Sequence, residues 1–114
     1  MLRSVDGKFH AKITKNCEFG VYPKQDPNNF LWKAPTSLAS WVLLDENGIL
    51  KLYDFTRKNE LWSSIKFEPG EPPYDLEISK EGILRIVDQD FCDVWNSKGR
   101  EKPKEEEKQA EEHK

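Results

Sequence analysis

The sequence repeats itself three times at intervals of about 30 residues, and this repeat limits the fold more than any other feature. Each unit ends in a tryptophan followed two positions later by a small residue; the ends read LWKA, LWSS and VWNS, with Trp32, Trp62 and Trp95. Aligned on Tyr22, Tyr53 and Val87, the tryptophans follow 10, 9 and 8 positions later. A unit of this length cannot cover its own apolar face. We therefore expect the three units to fold together around a core of three tryptophans.

Within each unit the apolar residues alternate with a period of two, which is the pattern of a half-buried β-strand. The clearest pairs are Phe19 and Val21, Leu50 and Leu52, and Leu84 and Ile86. The dipeptides Asn47-Gly48 and Glu81-Gly82 predict tight hairpin turns. No long stripe of helical period occurs in the first 97 residues. The sequence thus predicts an all-β domain of about eleven or twelve short strands.

The charge is distributed unevenly along the chain. Residues 98–114 hold 6 Lys/Arg and 6 Asp/Glu, so the net charge of −3 belongs to the preceding residues. A mildly acidic body without a basic stripe excludes a nucleic-acid partner. After Ser97, Ala110 is almost the only apolar side chain, and a segment with nothing to bury stays disordered by default. We therefore expect a domain over residues 1–98 and a charged tail over 99–114, disordered or partly helical from about Lys104.

The remaining motifs favour no catalytic or metal chemistry. The chain has no nucleophile motif and no glycine-rich phosphate loop, so we expect neither an enzyme nor a cofactor. Cys17 and Cys92 are far apart and form no metal-binding pattern with His10 or His113. No apolar run reaches the ~18 residues that cross a bilayer, and residues 1–10 do not resemble a signal peptide. These features predict a cytoplasmic protein without a transmembrane segment.

The three units, each with an apolar alternation, a turn, a strand of the type LxLYD, a loop and WxS, resemble the bulb-type, snowdrop-lectin-like mannose-binding lectin domain. The stretch LLDENGILKLYDFTRKNELWSS, residues 43–64, carries the resemblance most fully, and SVDGKFHAKI, residues 4–13, is similar to the first strands of that family. The resemblance covers residues 2–97. It implies a type II β-prism of three four-stranded antiparallel sheets with pseudo-threefold symmetry and the tryptophans in the centre.

The family also has a disulfide in some secreted members, and the resemblance bears on it. Cys17 occupies the place of one half of that disulfide, at the turn position that Gly48 and Gly82 fill in the other units. The stretch that would supply its partner, residues 38–41, contains no cysteine. A missing disulfide agrees with the predicted cytoplasmic location.

In that family each sheet carries a shallow sugar pocket with the motif Q-x-D-x-N-x-V-x-Y, whose period of two places all five side chains on one face. The corresponding residues of the first unit are Thr14, Asn16, Glu18, Gly20 and Tyr22. Those of the second unit are Asp45, Asn47, Ile49, Lys51 and Tyr53, and those of the third are Ser79, Glu81, Ile83, Arg85 and Val87. The resemblance implies these candidate carbohydrate-binding residues: Thr14, Asn16, Glu18, Tyr22, Asp45, Asn47, Lys51 and Tyr53.

The departures from the motif decide what these pockets can bind. A site of roughly millimolar affinity has only about 4 kcal/mol, and each lost hydrogen bond removes about 0.5–1.5 kcal/mol. We expect the second and third pockets not to bind mannose, whereas Lys51 and Arg85 leave open an acidic sugar or a phosphate.

Two functions follow. One is a carbohydrate-binding lectin module of mannose-type or altered specificity, with a glycan or glycoprotein partner. The other is a protein-interaction or scaffold domain that kept the fold and lost the pockets. Trp41, outside the repeat register, is either a core residue or an exposed aromatic at a ligand or homodimer surface.

Overall fold

A computed structural model describes residues 2–99 of the chain, and these residues form ten β-strands and no helix. The strands are β1 (Leu2–Arg3), β2 (Phe9–Ile13), β3 (Phe19–Pro23), β4 (Trp32–Lys33), β5 (Trp41–Leu44), β6 (Leu50–Tyr53), β7 (Glu60–Ser63), β8 (Asp75–Ile78), β9 (Leu84–Val87) and β10 (Asp93–Asn96). They pair into three antiparallel sheets, each built from one sequence unit, in the orders β1-β2-β3-β4, β5-β6-β7 and β8-β9-β10. The prediction of an all-β fold with three sheets is confirmed.

The predicted number of strands was wrong for the second and third sheets, which have three described strands instead of four. The segment before β5 forms no strand, because Pro35 has no amide hydrogen to donate to a neighbouring strand and Leu38, with a φ of 65°, leaves the extended conformation. The segment before β8 holds three prolines, Pro69, Pro72 and Pro73, and proline interrupts the hydrogen bonds of a strand.

The three tryptophans meet in the centre, as the repeat predicts. The ring centroids of Trp32, Trp62 and Trp95 form a triangle with sides of 5.9, 5.7 and 5.9 Å. Trp95 is buried and Trp32 and Trp62 are half-buried, and all three line one depression. The inward residues of the middle strands β3, β6 and β9 complete the core, among them Val21, Leu50, Leu52, Leu84 and Ile86.

The small residue two positions after each tryptophan forms a hydrogen bond with the middle strand of its own sheet. Ser64 is buried, and its hydroxyl oxygen accepts a hydrogen bond from the Leu50 amide at 2.9 Å. Ser97 does the same for the Leu84 amide at 3.0 Å. In the first unit the equivalent residue is Ala34, whose backbone amide donates to the Phe19 carbonyl. The WxS pattern is therefore a structural signature of the sheets.

One turn geometry joins the strands at four places. The side-chain oxygen of the first turn residue accepts the amide hydrogens of the second and fourth residues after it; these first residues are Thr14, Asp45, Ser79 and Asp88. The third residue after it has a positive φ, at Cys17 (63°), Gly48 (79°), Gly82 (85°) and Phe91 (64°). The hairpin turns predicted at Gly48 and Gly82 are confirmed, and Cys17 occupies the equivalent turn position.

The predicted tail, residues 99–114, lies outside the described residues from residue 100 onward. The division into residues 1–98 and 99–114 therefore stays a prediction. No helix long and apolar enough to cross a membrane occurs in residues 2–99.

Candidate functional site

The outer face of the first sheet, the side that points away from the core, carries a depression of about 620 Å³. Its wall is formed by the end of β2, the turn after it, β3, the loop before β4, and β4 itself. The lining residues are Lys12, Thr14, Lys15, Asn16, Glu18, Tyr22, Pro27, Asn28, Phe30 and Lys33. All four candidate residues of the first unit therefore lie around one hollow.

The floor of this depression is aromatic. A β-carbon placed on Gly20 would come within 2.6 Å of Phe30 Cδ1 and 2.5 Å of the Trp32 carbonyl oxygen. The ring of Phe30 thus occupies the space above Gly20, where the family motif has a valine. Tyr22 is buried and packs edge-to-face against Phe30, with ring centroids 6.1 Å apart. The apolar surface that the sequence loses at Gly20 is supplied by a loop residue.

The polar candidates divide into turn-forming and solvent-facing groups. The hydroxyl of Thr14 accepts the amides of Asn16 and Glu18 at 3.2 and 3.4 Å, so it holds the turn as well as lining the hollow. The side chain of Asn16 is exposed at the tip of that turn. Glu18 Oε2 lies 3.0 Å from Lys33 Nζ and forms an ion pair with it.

His10 lies beside the depression as the cross-strand neighbour of Tyr22, with ring centroids 5.9 Å apart. Its pKa is lowered below the ordinary value of 6.5, first by burial and then by the positive charges of Arg3, Lys24 and Lys12. The imidazole is therefore less easily protonated in the folded chain than in an open peptide.

The second candidate set is tied together by charge pairs. Asp45 accepts the amides of Asn47 and Ile49 at 2.9 and 3.0 Å and lies 3.3 Å from Lys51 Nζ. Burial opposes ionisation of Asp45, but these two hydrogen bonds and Lys51 outweigh it, so its pKa is lowered. The contact with Asp45, with help from Tyr53, raises the pKa of Lys51.

The cations on the second and third sheets are both matched by two carboxylates. Lys51 has a second partner in Glu60, at 3.8 Å. On the third sheet, Arg85 contacts Glu77 at 2.7 Å and Asp93 at 3.0 Å. Each cluster has a net charge of −1, which does not favour the anionic ligand that Lys51 and Arg85 suggest in the sequence. Val87 is buried and stands where the first two sheets have tyrosine.

Sequence reasoning missed six residues of the depression, namely Lys12, Lys15, Pro27, Asn28, Phe30 and Lys33. Lys12 and Lys33 had a signal, because they follow the period of two on β2 and β4. Asn28 and Phe30 had none, because they belong to the loop whose length differs between units.

The described residues show no metal chemistry. Residues 2–99 contain no group of three or more His, Cys, Asp and Glu side chains that could hold a metal ion. Cys17 is half-buried, Cys92 is exposed, and both are free thiols.

The fold is similar to one solved structure of a carbohydrate-binding class of protein. The Japanese Marasmius oreades lectin superposes with a TM-score of 0.72 over 86% of this chain and 79% of the lectin, with 22% sequence identity. No protein-family model matches the chain, and no curated protein matches it at a significant level. The likeness shows the fold, a β-prism-like lectin fold of three antiparallel sheets.

Proposed function

We propose that this chain is a carbohydrate-binding module of the lectin type, and that the depression on its first sheet is the binding site. The observation that carries the proposal is the convergence of Asn16, Glu18 and Tyr22 on one hollow with an aromatic floor. This arrangement suits a sugar, because amide and carboxylate groups bond its hydroxyls while an aromatic ring contacts its apolar C–H face.

The magnitudes fit a weak single site. A monosaccharide bound at roughly millimolar affinity needs about 4 kcal/mol. Three or four hydrogen bonds at about 0.5–1.5 kcal/mol each, together with contact to the half-buried Phe30 ring, are of this order. The second and third sheets lack such a combination, since their outward cations are held by carboxylates.

Kinship with bulb-type mannose-binding lectins is part of the same proposal. It is supported by the threefold WxS repeat and by the likeness to a lectin fold. The module acts by binding and not by catalysis, and a cytoplasmic location is consistent with the two free thiols of the described residues.

The test is a glycan array followed by isothermal titration with the full chain. The Asn16→Ala variant removes a side chain at the tip of the first turn, and Asn47→Ala removes its counterpart in the second turn. Because neither side chain is buried, both variants should fold. We expect Asn16→Ala to lose binding by tenfold or more and Asn47→Ala to bind as the parent does. Silence across neutral, acidic and phosphorylated sugars would refute a lectin function, and equal effects of the two variants would refute the assigned site.

A second candidate function, protein interaction, is favoured by the outer face of the second sheet. Trp41 and Leu43 are exposed there, at positions that hold His10 and Lys12 in the first sheet. The Arg57 guanidinium lies 3.4 Å from the centre of the Trp41 ring, and Trp41 Nε1 donates to the Phe55 carbonyl at 3.4 Å. Two measurements test this candidate: sedimentation of the parent and of Leu43→Lys, and affinity capture with the parent. A dimer that is lost in the variant supports protein interaction. A parent that is monomeric and captures no specific partner contradicts it.

A further inference from the structure

We propose that the depression on the first sheet binds glycans that carry an acidic group, a carboxylate or a sulfate. This inference rests on the proposed function and names the ligand class of the same site. It concerns a different place from the cations Lys51 and Arg85, which carboxylates already hold.

The first unit differs in charge from the rest of the domain. Residues 2–33 contain six basic and three acidic side chains, a net charge of +3. Residues 34–99 contain seven basic and twelve acidic side chains, a net charge of −5. The overall acidity of the chain therefore conceals one positive sheet, and it is the sheet that carries the depression.

The positive charge is concentrated at the hollow itself. Lys12, Lys15 and Lys33 line it together with a single acidic residue, Glu18. Glu18 forms an ion pair with Lys33 at 3.0 Å. Within residues 2–99, Lys12 and Lys15 have no acidic side chain within ion-pair distance. Two cations thus remain available at the rim of the hollow.

The location of these cations suits a sugar acid. Lys12 Nζ lies 5.8 Å from the centre of the Tyr22 ring, and Lys33 Nζ lies 5.7 Å from the centre of the Phe30 ring. A sugar placed against the aromatic floor therefore has ammonium groups beside it, and its acidic group can reach one of them. The exposed amides of Asn16 and Asn28 offer donors for the remaining oxygens.

The lowered pKa of His10 is a second indication of positive charge around the first sheet. Burial contributes most to this shift, and the positive charges of Arg3, Lys24 and Lys12 contribute the rest. On the outer faces of the other two sheets, Lys51 and Arg85 are each paired with two carboxylates. An anionic ligand therefore prefers the first sheet over the others.

The experiment compares three probes by isothermal titration on the full chain: methyl α-mannoside, methyl glucuronide and glucose 6-sulfate. At about 50 mM salt we expect the two acidic probes to bind about tenfold more tightly than the mannoside. This preference should shrink several-fold at about 500 mM salt, because ions screen exposed charges. The carboxylate and sulfate probes distinguish the two sources of acidity.

Matched variants assign the effect to the hollow. Lys15→Gln removes a cation from the first turn, and Lys80→Gln removes the cation at the same position of the third turn. We expect Lys15→Gln and Lys12→Gln each to weaken acidic probes about threefold, and Lys80→Gln to leave them unchanged. Glu18→Gln should strengthen acidic probes, because it removes the negative charge of the site.

The outcomes separate this inference from the function on which it rests. Mannoside binding equal to or tighter than that of the acidic probes overturns the acidic ligand class but leaves a lectin. Equal losses from Lys15→Gln and Lys80→Gln also overturn it, since the effect would then come from overall charge. Binding of none of the three probes, with silence on the glycan array, refutes the proposed function itself.

Discussion

The ring of Phe30 fills the space that a side chain at Gly20 would need. Gly20 lies on β3, and Phe30 lies in the loop before β4. A β-carbon at Gly20 would be only 2.6 Å from Phe30 Cδ1. The first sheet therefore obtains its aromatic floor from a loop, and that arrangement leaves no room for a side chain at position 20.

This relationship predicts the effect of restoring the motif. Gly20→Val should reduce the free energy of unfolding by about 2–3 kcal/mol, because overpacking against Phe30 and the rigid Trp32 carbonyl forces both to move. It should also weaken sugar binding, although it recreates the motif residue. Urea unfolding and titration with the best array ligand measure the two effects.

Lys51→Val is the matched control, because Lys51 occupies the equivalent position on the second sheet and is half-buried. It should change stability much less than Gly20→Val. A Gly20→Val chain as stable as the parent would contradict the packing of Phe30 on Gly20.

The sequence was informative wherever a residue acts through its immediate neighbours or through the repeat. The alternation of Leu50 and Leu52 predicts which side of β6 is buried. Gly48 and Gly82 predict the hairpin turns, in which both have a positive φ. The convergence of the tryptophans follows from the threefold repeat, because equivalent residues meet at the axis of a symmetric fold.

Features that depend on cross-strand register or on loop shape could not be predicted from the sequence. The partners of Arg85, Glu77 and Asp93, come from two neighbouring strands, so their charges cancel only once the register is known. Phe30 lies in the loop before β4, and the equivalent loops of the other two units have different lengths. The predicted fourth strands of the second and third sheets are absent among the described residues. Prolines interrupt the strand hydrogen bonds in both segments, and the alternation of apolar residues does not show this effect.

The tryptophan triangle predicts unequal effects of two chemically identical substitutions. Trp95→Ala should cost about 3–5 kcal/mol of unfolding free energy, because Trp95 is buried and contacts both other rings. Trp62→Ala should cost about 2–3 kcal/mol, since Trp62 is only half-buried and water can replace part of its contacts. Chemical unfolding followed by circular dichroism gives both values.

The reverse order, with Trp62 more costly than Trp95, would contradict the deeper burial of Trp95. Trp41→Ala serves as the reference for an exposed tryptophan and should have a smaller effect than either.

The buried hydroxyl of Ser64 gives a prediction about the WxS signature. Ser64→Ala leaves the Leu50 amide without its side-chain acceptor in a buried place, which should cost about 1–3 kcal/mol. The opposite change at the equivalent position, Ala34→Ser, serves as the comparison, because it adds a hydroxyl where the first sheet has none. Thermal unfolding of both variants, with hydrogen exchange at Leu50, measures the difference. Unchanged protection of the Leu50 amide in Ser64→Ala would show that water replaces the hydroxyl.

The pH dependence of stability follows from groups whose pKa values all shift downward on folding. Burial first, then Arg3, Lys24 and Lys12, lower the pKa of His10 from 6.5. Hydrogen bonds from Thr56 and Asn59 lower the pKa of Asp54 from 3.8, and the amide of Cys92 contributes most to the same shift at Asp88. For each group the unfolded chain binds protons more readily than the folded chain, so stability falls as the pH falls.

Two pH ranges should therefore be visible in urea unfolding. Stability should decrease first below about pH 6.5, where the unfolded chain protonates His10, and more steeply below about pH 4, where it protonates Asp54 and Asp88. His10→Gln loses the ring contact with Tyr22 and should be less stable at neutral pH, but its stability should hardly change between about pH 7 and pH 5. A parent chain that gains stability on acidification through pH 6 would contradict the lowered pKa of His10. A slope that persists in His10→Gln would assign that range to another group.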